Sequence, residues 1–479
     1  EPSRAEPSRA EPSRAEPSKT TVIHGAVTGP RTPLGFHSRV SWAGLVAIVG
    51  LSACDSPAEP AASDLATEVR MLAATRGFEP LPNPRPVRND LVRLGQALAF
   101  DKILSGNRNI ACMTCHLPEM ATGDARTLSV GEGGTGLGPQ RTHPEGVFIP
   151  RNSPAVFNLP GAARVFWDGR VEERSDGSIS TPAKDQLTRE MADVFEFGAV
   201  SAQGLFPVTS RHEMRGQPGD NGLADLDDDD FQGIWGFLME RLGDISEYVG
   251  LFERAYPGTP FDSMSFAHAS NAIAGFYAVE FVFNNTPWDW FLRGDNDALS
   301  DSALAGARDF MTIGCANCHK RSSFAGDFHN AALPQFGPGK TDGREDFGRE
   351  GVTNLPGDRR RFMARPLRNV ELTAPYGHLG QFPTLESFVA HYNDAASRLR
   401  EYDIAAHVPD RLLWPTLLNN VEEILANQDP VLFTLRFDEE THANLVAFLR
   451  ALTDEAARDL SHTIPDRVPS GLPIDRMND

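Results

Sequence analysis

Cys112-Met113-Thr114-Cys115-His116 and Cys315-Ala316-Asn317-Cys318-His319 repeat one arrangement: two thiols separated by two residues, with an imidazole directly after the second. Thiols at this spacing reach the two vinyl groups on a porphyrin edge and the adjoining His reaches the iron, so C-x-x-C-H is the attachment signature of c-type haem. Two copies predict two covalently bound c-type haems, attached through Cys112, Cys115, Cys315 and Cys318 and ligated by His116 and His319. A zinc site of four Cys does not require a His after both pairs, and a thioredoxin-like dithiol would not recur about 200 residues later. The fifth cysteine, Cys54, ends an apolar run, which leaves no thiol for a disulfide.

The elements that position these motifs are helical in pattern. Asn89 precedes Leu91, Leu94, Ala97 and Leu98, and Ser300-Asp301 precedes Leu304, Ala307 and Phe310, so each motif follows an amphipathic helix. Residues 265–284 read as a long apolar helix ended by Asn284-Asn285-Thr286-Pro287, because Pro cannot continue it. Residues 438–453 form a last helix with Leu445, Phe448, Leu449 and Leu452 facing inward. With 42 Gly, 36 Pro and scarce strand-like alternation, the expected fold is mostly α: two cytochrome c-like haem domains with long loops and little β structure. The expected organisation is a leader and lipoprotein signal (1–53), a flexible tether (54–86), an N-terminal haem domain (87–286), a C-terminal haem domain (287–455) and a tail (456–479).

Residues 1–20 repeat Glu-Pro-Ser-Arg-Ala and cannot build a core. Arg39, the apolar residues 42–50 and Leu51-Ser52-Ala53-Cys54 follow the pattern of a lipoprotein signal too short to span a bilayer. Acylation of Cys54 would tether the protein to a membrane and place it in the periplasm; the alternative is an ordinary secretory signal with a coincidental Cys. A formal net charge of −20 argues against nucleic acid and favours a basic partner such as a small cytochrome, although it also serves solubility.

Pro150-Arg151-Asn152-Ser153-Pro154, Phe166-Trp167-Asp168-Gly169-Arg170 and the stretch from Pro366-Leu367-Arg368-Asn369 to Pro375-Tyr376-Gly377-His378 follow or lie between the two motifs. Taken together, from about Leu91 to Leu452, the chain resembles the bacterial di-haem cytochrome c peroxidase and MauG family. The resemblance implies that peroxide reacts at the N-terminal haem and that the second haem stores or relays an oxidising equivalent.

Four positions set how such a protein would behave. Where relatives place a second His sixteen residues after the proximal one, this chain has Glu132; the iron is then open or water-bound, or His143 from the same loop replaces the ligand. Glu213 matches the distal acid–base residue and Gln203, ten residues earlier, its positioning partner; Glu190 is the competing carboxylate, and an isolated Glu is ordinarily a solvated one. Trp167 matches the indole between the haems, a relay that also packs. Tyr392 matches the distal ligand of the second haem, where a phenolate favours oxidised iron and a Met thioether favours reduction; Met363 and His391 are its rivals. Asn152, Thr373 and Pro375 match an inter-haem Ca²⁺ site of oxygen ligands, residues that also serve turns. The run Asp225–Asp230 lacks EF-hand spacing and reads as an acidic flank to a helix starting near Phe231.

The function implied is an oxidoreductase in which a small redox protein, a cytochrome c or cupredoxin, supplies electrons for reduction of hydrogen peroxide. The alternatives are a MauG-like enzyme oxidising side chains of a protein substrate and a non-enzymatic di-haem electron-transfer lipoprotein.

Overall fold

The computed structural model describes residues 62–340 and 345–477. Its main helices are α1 (Ala62–Arg76), α2 (Asn89–Phe100), α3 (Phe231–Gly243), α4 (Phe266–Glu280), α5 (Asp301–Thr312), α6 (Leu385–Tyr392) and α7 (Glu439–Arg450). Short strands make one antiparallel sheet of β1 (Arg164–Val165), β2 (Val171–Glu173) and β3 (Ile179–Ser180), and a second of β4 (Phe328–His329) with β5 (Phe362–Met363). The expectation of a mostly α fold with little β structure holds.

Two helix crossings of one design carry the haem motifs. Gly95 on α2 lies against the Ala272 carbonyl of α4, and Gly306 on α5 lies against the Asn444 carbonyl of α7; a Cβ at either glycine would overlap that oxygen. The missing side chains let the axes approach closely, and flanking apolar residues seal the contact. Leu91, Leu94 and Leu98 of α2 are wholly buried, as are Leu304, Ala307 and Phe310 of α5 and Leu445, Phe448, Leu449 and Leu452 in and after α7. Local chemistry starts both α5 and α7: Ser300 accepts from the Ala303 N–H at 3.2 Å and Asp438 from the Thr441 N–H at 2.9 Å.

The core changes over after α4. One apolar cluster runs from Leu91 to Phe283, and a second gathers Trp288, Phe310, Phe324 and Phe448, with Trp288 and Phe448 edge to face at 5.2 Å. The helix expected over 265–284 stops at Glu280. Pro287 does more than end a pattern: Thr286 caps a new helix, Pro287–Leu292, in whose first turn Pro has no hydrogen bond to lose. Asp289 of that turn meets the buried Arg368 at 2.5 Å.

Two assignments need correction. Residues 54–86 were expected to be a flexible tether, yet α1 buries Ala66, Val69 and Ala73 in the second core, and Arg70 donates to the Phe291 carbonyl at 3.0 Å. Its apolar stripe is narrow and made of small residues, so its stability comes from tertiary packing that composition does not reveal. The described part of the expected tail, residues 456–477, also packs onto the body. Ala457, Leu460 and Val468 enter the first core, and Asp475 pairs with Lys102 at 2.6 Å and accepts from Thr114, inside the first haem motif, at 2.5 Å. The leader, the signal and Cys54 lie outside the described residues. No helix among the described residues is long and apolar enough to cross a membrane.

Replacing Gly95 or Gly306 by Ala should each destabilise the protein by about 1–3 kcal/mol through overpacking. Gly236→Ala, at a helical glycine with open space around it, should be neutral or stabilising by up to about 1 kcal/mol. Chemical denaturation of the three variants checks the contrast.

Candidate haem sites and the residues between them

Each motif makes a single helical turn, Cys112–Cys115 or Cys315–Cys318, and the four cysteines form no disulfide. The following loops fold back in the same way. His116 Nδ1 lies 3.0 Å from the Thr122 carbonyl and His319 Nδ1 lies 2.9 Å from the Phe324 carbonyl. A carbonyl only accepts, so Nδ1 carries the proton and Nε2 keeps its lone pair for iron. Burial drives both imidazoles toward the neutral form, His319 to about 4. Paired free thiols and an unprotonated Nε2 are the donor set covalent haem requires, and both motifs fit it.

The site at His319 is a largely apolar cavity lined also by Tyr392, Met363, His329 and Trp167. Tyr392, the last residue of α6, faces this cavity, and burial with Cys318 and Cys315 nearby pushes its phenol upward. His391 points elsewhere. Its Nε2 meets the Ala331 carbonyl at 3.0 Å and its ring packs on Phe382, which removes it as a rival ligand. Met363 remains on the cavity wall, its N–H bonded to the Trp167 carbonyl at 2.9 Å.

Glu213, whose charge acts on Cys115 of the first motif, occupies a π-helical turn, Arg211–Arg215. Such turns are rare and are found often at functional sites. The turn is held from behind. Arg215, fully buried, donates to the Leu223 carbonyl at 3.1 Å and to Asp228 at 2.9 Å, and Arg211 meets the same Asp228 at 2.6 Å. The acidic run thus has a second task beyond Asp230, which caps α3 through the Gly233 N–H at 2.9 Å. Burial raises the Glu213 carboxyl above its ordinary range, opposed in part by Arg170, Lys340 and Arg151. Gln203 ends the short helix Ala199–Gln203 and has no side-chain hydrogen bond among the described residues. Glu190 is exposed to solvent, which removes it as the competing carboxylate.

Glu132 is held by hydrogen bonds of its own. Its carboxylate accepts from Asn107 and Asn109, both at 2.8 Å, while its N–H donates to the His212 carbonyl at 3.0 Å beside Glu213. His143 is taken up in its own loop, where Nδ1 accepts the Glu145 N–H at 3.1 Å and the ring packs over Gly133.

Trp167 donates from Nε1 to the Asn152 carbonyl at 3.0 Å, faces the His319 cavity, and meets His378 edge-on at 6.5 Å. Asn152, Thr373 and Pro375 line that same cavity, and the Asn152 amide donates to the Arg126 carbonyl at 2.8 Å, which leaves its oxygen free. Behind them is a buried ion network that inspection of single motifs missed. Arg151 bridges Asp168 at 2.7 Å and Asp346 at 2.6 Å, and Asp168 also meets Arg170 at 3.1 Å and Lys340 at 3.4 Å. Burial alone would raise Asp168, but Arg151, Arg170 and Lys340 outweigh it and hold the carboxyl well below the usual range. The signal was available: Arg151 and Asp168 lie inside the two motifs used to recognise the chain.

A cytochrome c551 peroxidase of Pseudomonas aeruginosa is 31% identical over 333 residues, 66% of this chain and 78% of that protein. Residues 89–297 also match the family model described as di-haem cytochrome c peroxidase. The chain belongs to the di-haem cytochrome c peroxidase family. Within this family of oxidoreductases it is also similar to the methylamine utilization protein MauG of Methylorubrum extorquens, at 29% identity over 71% of this chain and 78% of that one. The fold is shared with a MauG-like protein associated with microbial copper homeostasis, at 23% identity, TM-score 0.56, 81% of this chain and 97% of that one. It is shared too with the di-haem peroxidase BthA of Burkholderia thailandensis, at 18% identity, TM-score 0.52, 80% of this chain and 92% of that one.

A carboxyl held below its unfolded value stabilises the fold above that value, and this stabilisation is lost as pH falls. Asp168→Asn should therefore cost about 3–5 kcal/mol near pH 7, because it leaves buried cations uncompensated. The difference from wild type should shrink as pH falls below about 4, where the unfolded Asp takes up its proton. Denaturation at a series of pH values reads both effects.

Proposed function

We propose that this member of the family reduces hydrogen peroxide at the His116 haem, with electrons passing from a small cytochrome c or cupredoxin through the His319 haem and Trp167. The observation that carries the reading is the Glu213 turn: a carboxyl lifted by burial and braced by Arg215 and Asp228, beside a loop whose Glu132 is bound to Asn107 and Asn109.

Bound haem supplies an iron that exchanges electrons with peroxide. The protein supplies the proton handling. The Glu213 carboxylate accepts the proton from the nearer peroxide oxygen and returns it to the farther one, while the Gln203 amide orients the substrate. Glu132 and His143 are both engaged elsewhere, so neither would compete with peroxide for a haem held by His116. A purely electron-transferring lipoprotein would leave the braced Glu213 turn without a task.

Tyr392 on the cavity wall favours a second reading, oxidation of side chains on a partner protein as in MauG, because a phenolate ligand stabilises oxidised iron. We also infer a Ca²⁺ ion between the haems, held by the Asn152 side-chain oxygen and the carbonyls of Thr373 and Pro375, and a periplasmic protein tethered through acylated Cys54.

Ferric electron paramagnetic resonance should give one high-spin signal; two low-spin signals would remove the peroxidase reading. Glu213→Gln should slow the reaction with peroxide by at least about tenfold, the scale of general acid–base catalysis. Tyr392→Phe should alter the spectrum of the second haem, whereas His391→Gln should leave its ligation intact. Rapid turnover of reduced cytochrome c with peroxide separates the first reading from the MauG-like one.

A further inference from the structure

Arg365 is an ionised side chain without an anion. Its Nη2 donates to the Ala155 carbonyl at 3.2 Å, and its guanidinium stands 5.7 Å from the centre of the Trp167 ring. No carboxylate among the described residues pairs with it. The residue lines the His319 cavity, its backbone carbonyl faces the His319 ring, and its charge acts on His116. Burial lowers the guanidinium to about 10, so it stays charged at neutral pH. Arg151 is neutralised by Asp168 and Asp346 and Arg368 by Asp289, while the buried Arg141 near Cys115 spends its donors on the carbonyls of Val130, Gly136 and Gly131; Arg365 has one carbonyl and no carboxylate among the described residues.

A cation that lines an interior cavity with one carbonyl acceptor and no carboxylate calls for an anion from elsewhere, since most of its desolvation cost is otherwise uncompensated. The carboxylates carried by haem are anions of the right chemistry at this position. Guanidinium takes a carboxylate through two parallel N–H donors, which a Lys ammonium does not reproduce.

We propose that Arg365 is the residue that anchors a haem propionate in the gap between the two sites and sets the electrostatic potential of the relay through Trp167. This rests on the reading of Trp167 as a relay. When an oxidising equivalent crosses, one electron leaves the indole toward the His116 side and is replaced by one from the His319 side. The indole N–H is bonded to the Asn152 carbonyl, which cannot take its proton, so the transient hole keeps its positive charge. The guanidinium, 5.7 Å from the ring centre, faces the indole and opposes that charge, an effect that the carboxylate it holds offsets only in part. The hole therefore passes through Trp167 without settling there, and the oxidising equivalent remains at the irons, which protects the indole from oxidation.

The test uses the haem-loaded full chain and the variants Arg365→Met and Arg365→Lys, with spectroelectrochemical titration of both haems and electron paramagnetic resonance after addition of peroxide. Loss of the positive charge should move both midpoints downward, with a change on the order of tenfold in each ferric-to-ferrous ratio for a unit charge at an effective dielectric of about 20. A tryptophan radical should accumulate in Arg365→Met and not in wild type. Arg365→Lys should restore most of the midpoint shift and should fail to restore the haem-carboxylate vibrations seen by resonance Raman spectroscopy. Unchanged midpoints in Arg365→Met, or equal shifts in the Met and Lys variants, would overturn the assignment and leave Arg365 a packing residue. Trp167→Phe separates the relay from the anchor: an unaltered rate of electron transfer between the haems would remove the relay, while the midpoint shifts of Arg365→Met would still assign the anchor.

Discussion

Arg151 stands between two buried carboxylates remote from each other in sequence, Asp168 and Asp346. Buried ion pairs contribute little net stability, because desolvation consumes most of the attraction. Their geometric demand is severe, however, since a displaced partner leaves a bare charge in the interior. The network therefore fixes where the Trp167 loop lies against Lys340 and Asp346.

The two halves solve the same problem with the same parts. In each, a glycine lets two helices cross at backbone contact, and in each a post-motif loop returns a carbonyl to the proximal imidazole, Thr122 to His116 and Phe324 to His319. This lock fixes the tautomer that can bind iron. What differs is the opposite face. The first half presents a carboxyl on a braced π-turn, and the second presents Tyr392 and Met363 on an apolar wall. The two faces therefore differ in polarity, an ionisable group on one and a largely apolar wall on the other.

The acidic run and the C-terminal segment show how remote sequence supports this arrangement. Asp228 holds Arg211 and Arg215, and so the turn bearing Glu213, while Asp475 reaches Lys102 and Thr114 at the first motif. Both restrict loops next to the residues singled out above, Glu213 and the first Cys-rich motif.

The covalent chemistry was written in the chain alone. C-x-x-C-H is a local code, and the helices before it are legible because Leu91, Leu94 and Leu98, or Leu304, Ala307 and Phe310, repeat with the period of one buried face. The family was legible from its motifs. Tertiary structure decided what depends on side-chain direction across long separations. It turned His391 into the core and Tyr392 toward the cavity, although the two are adjacent in sequence. It gave Glu132 to Asn107 and Asn109, packed the small-residue stripe of α1 into a core, and set Arg365 beside Trp167. None of these follows from spacing, because each depends on which groups a remote segment brings within hydrogen-bond or ring-contact distance.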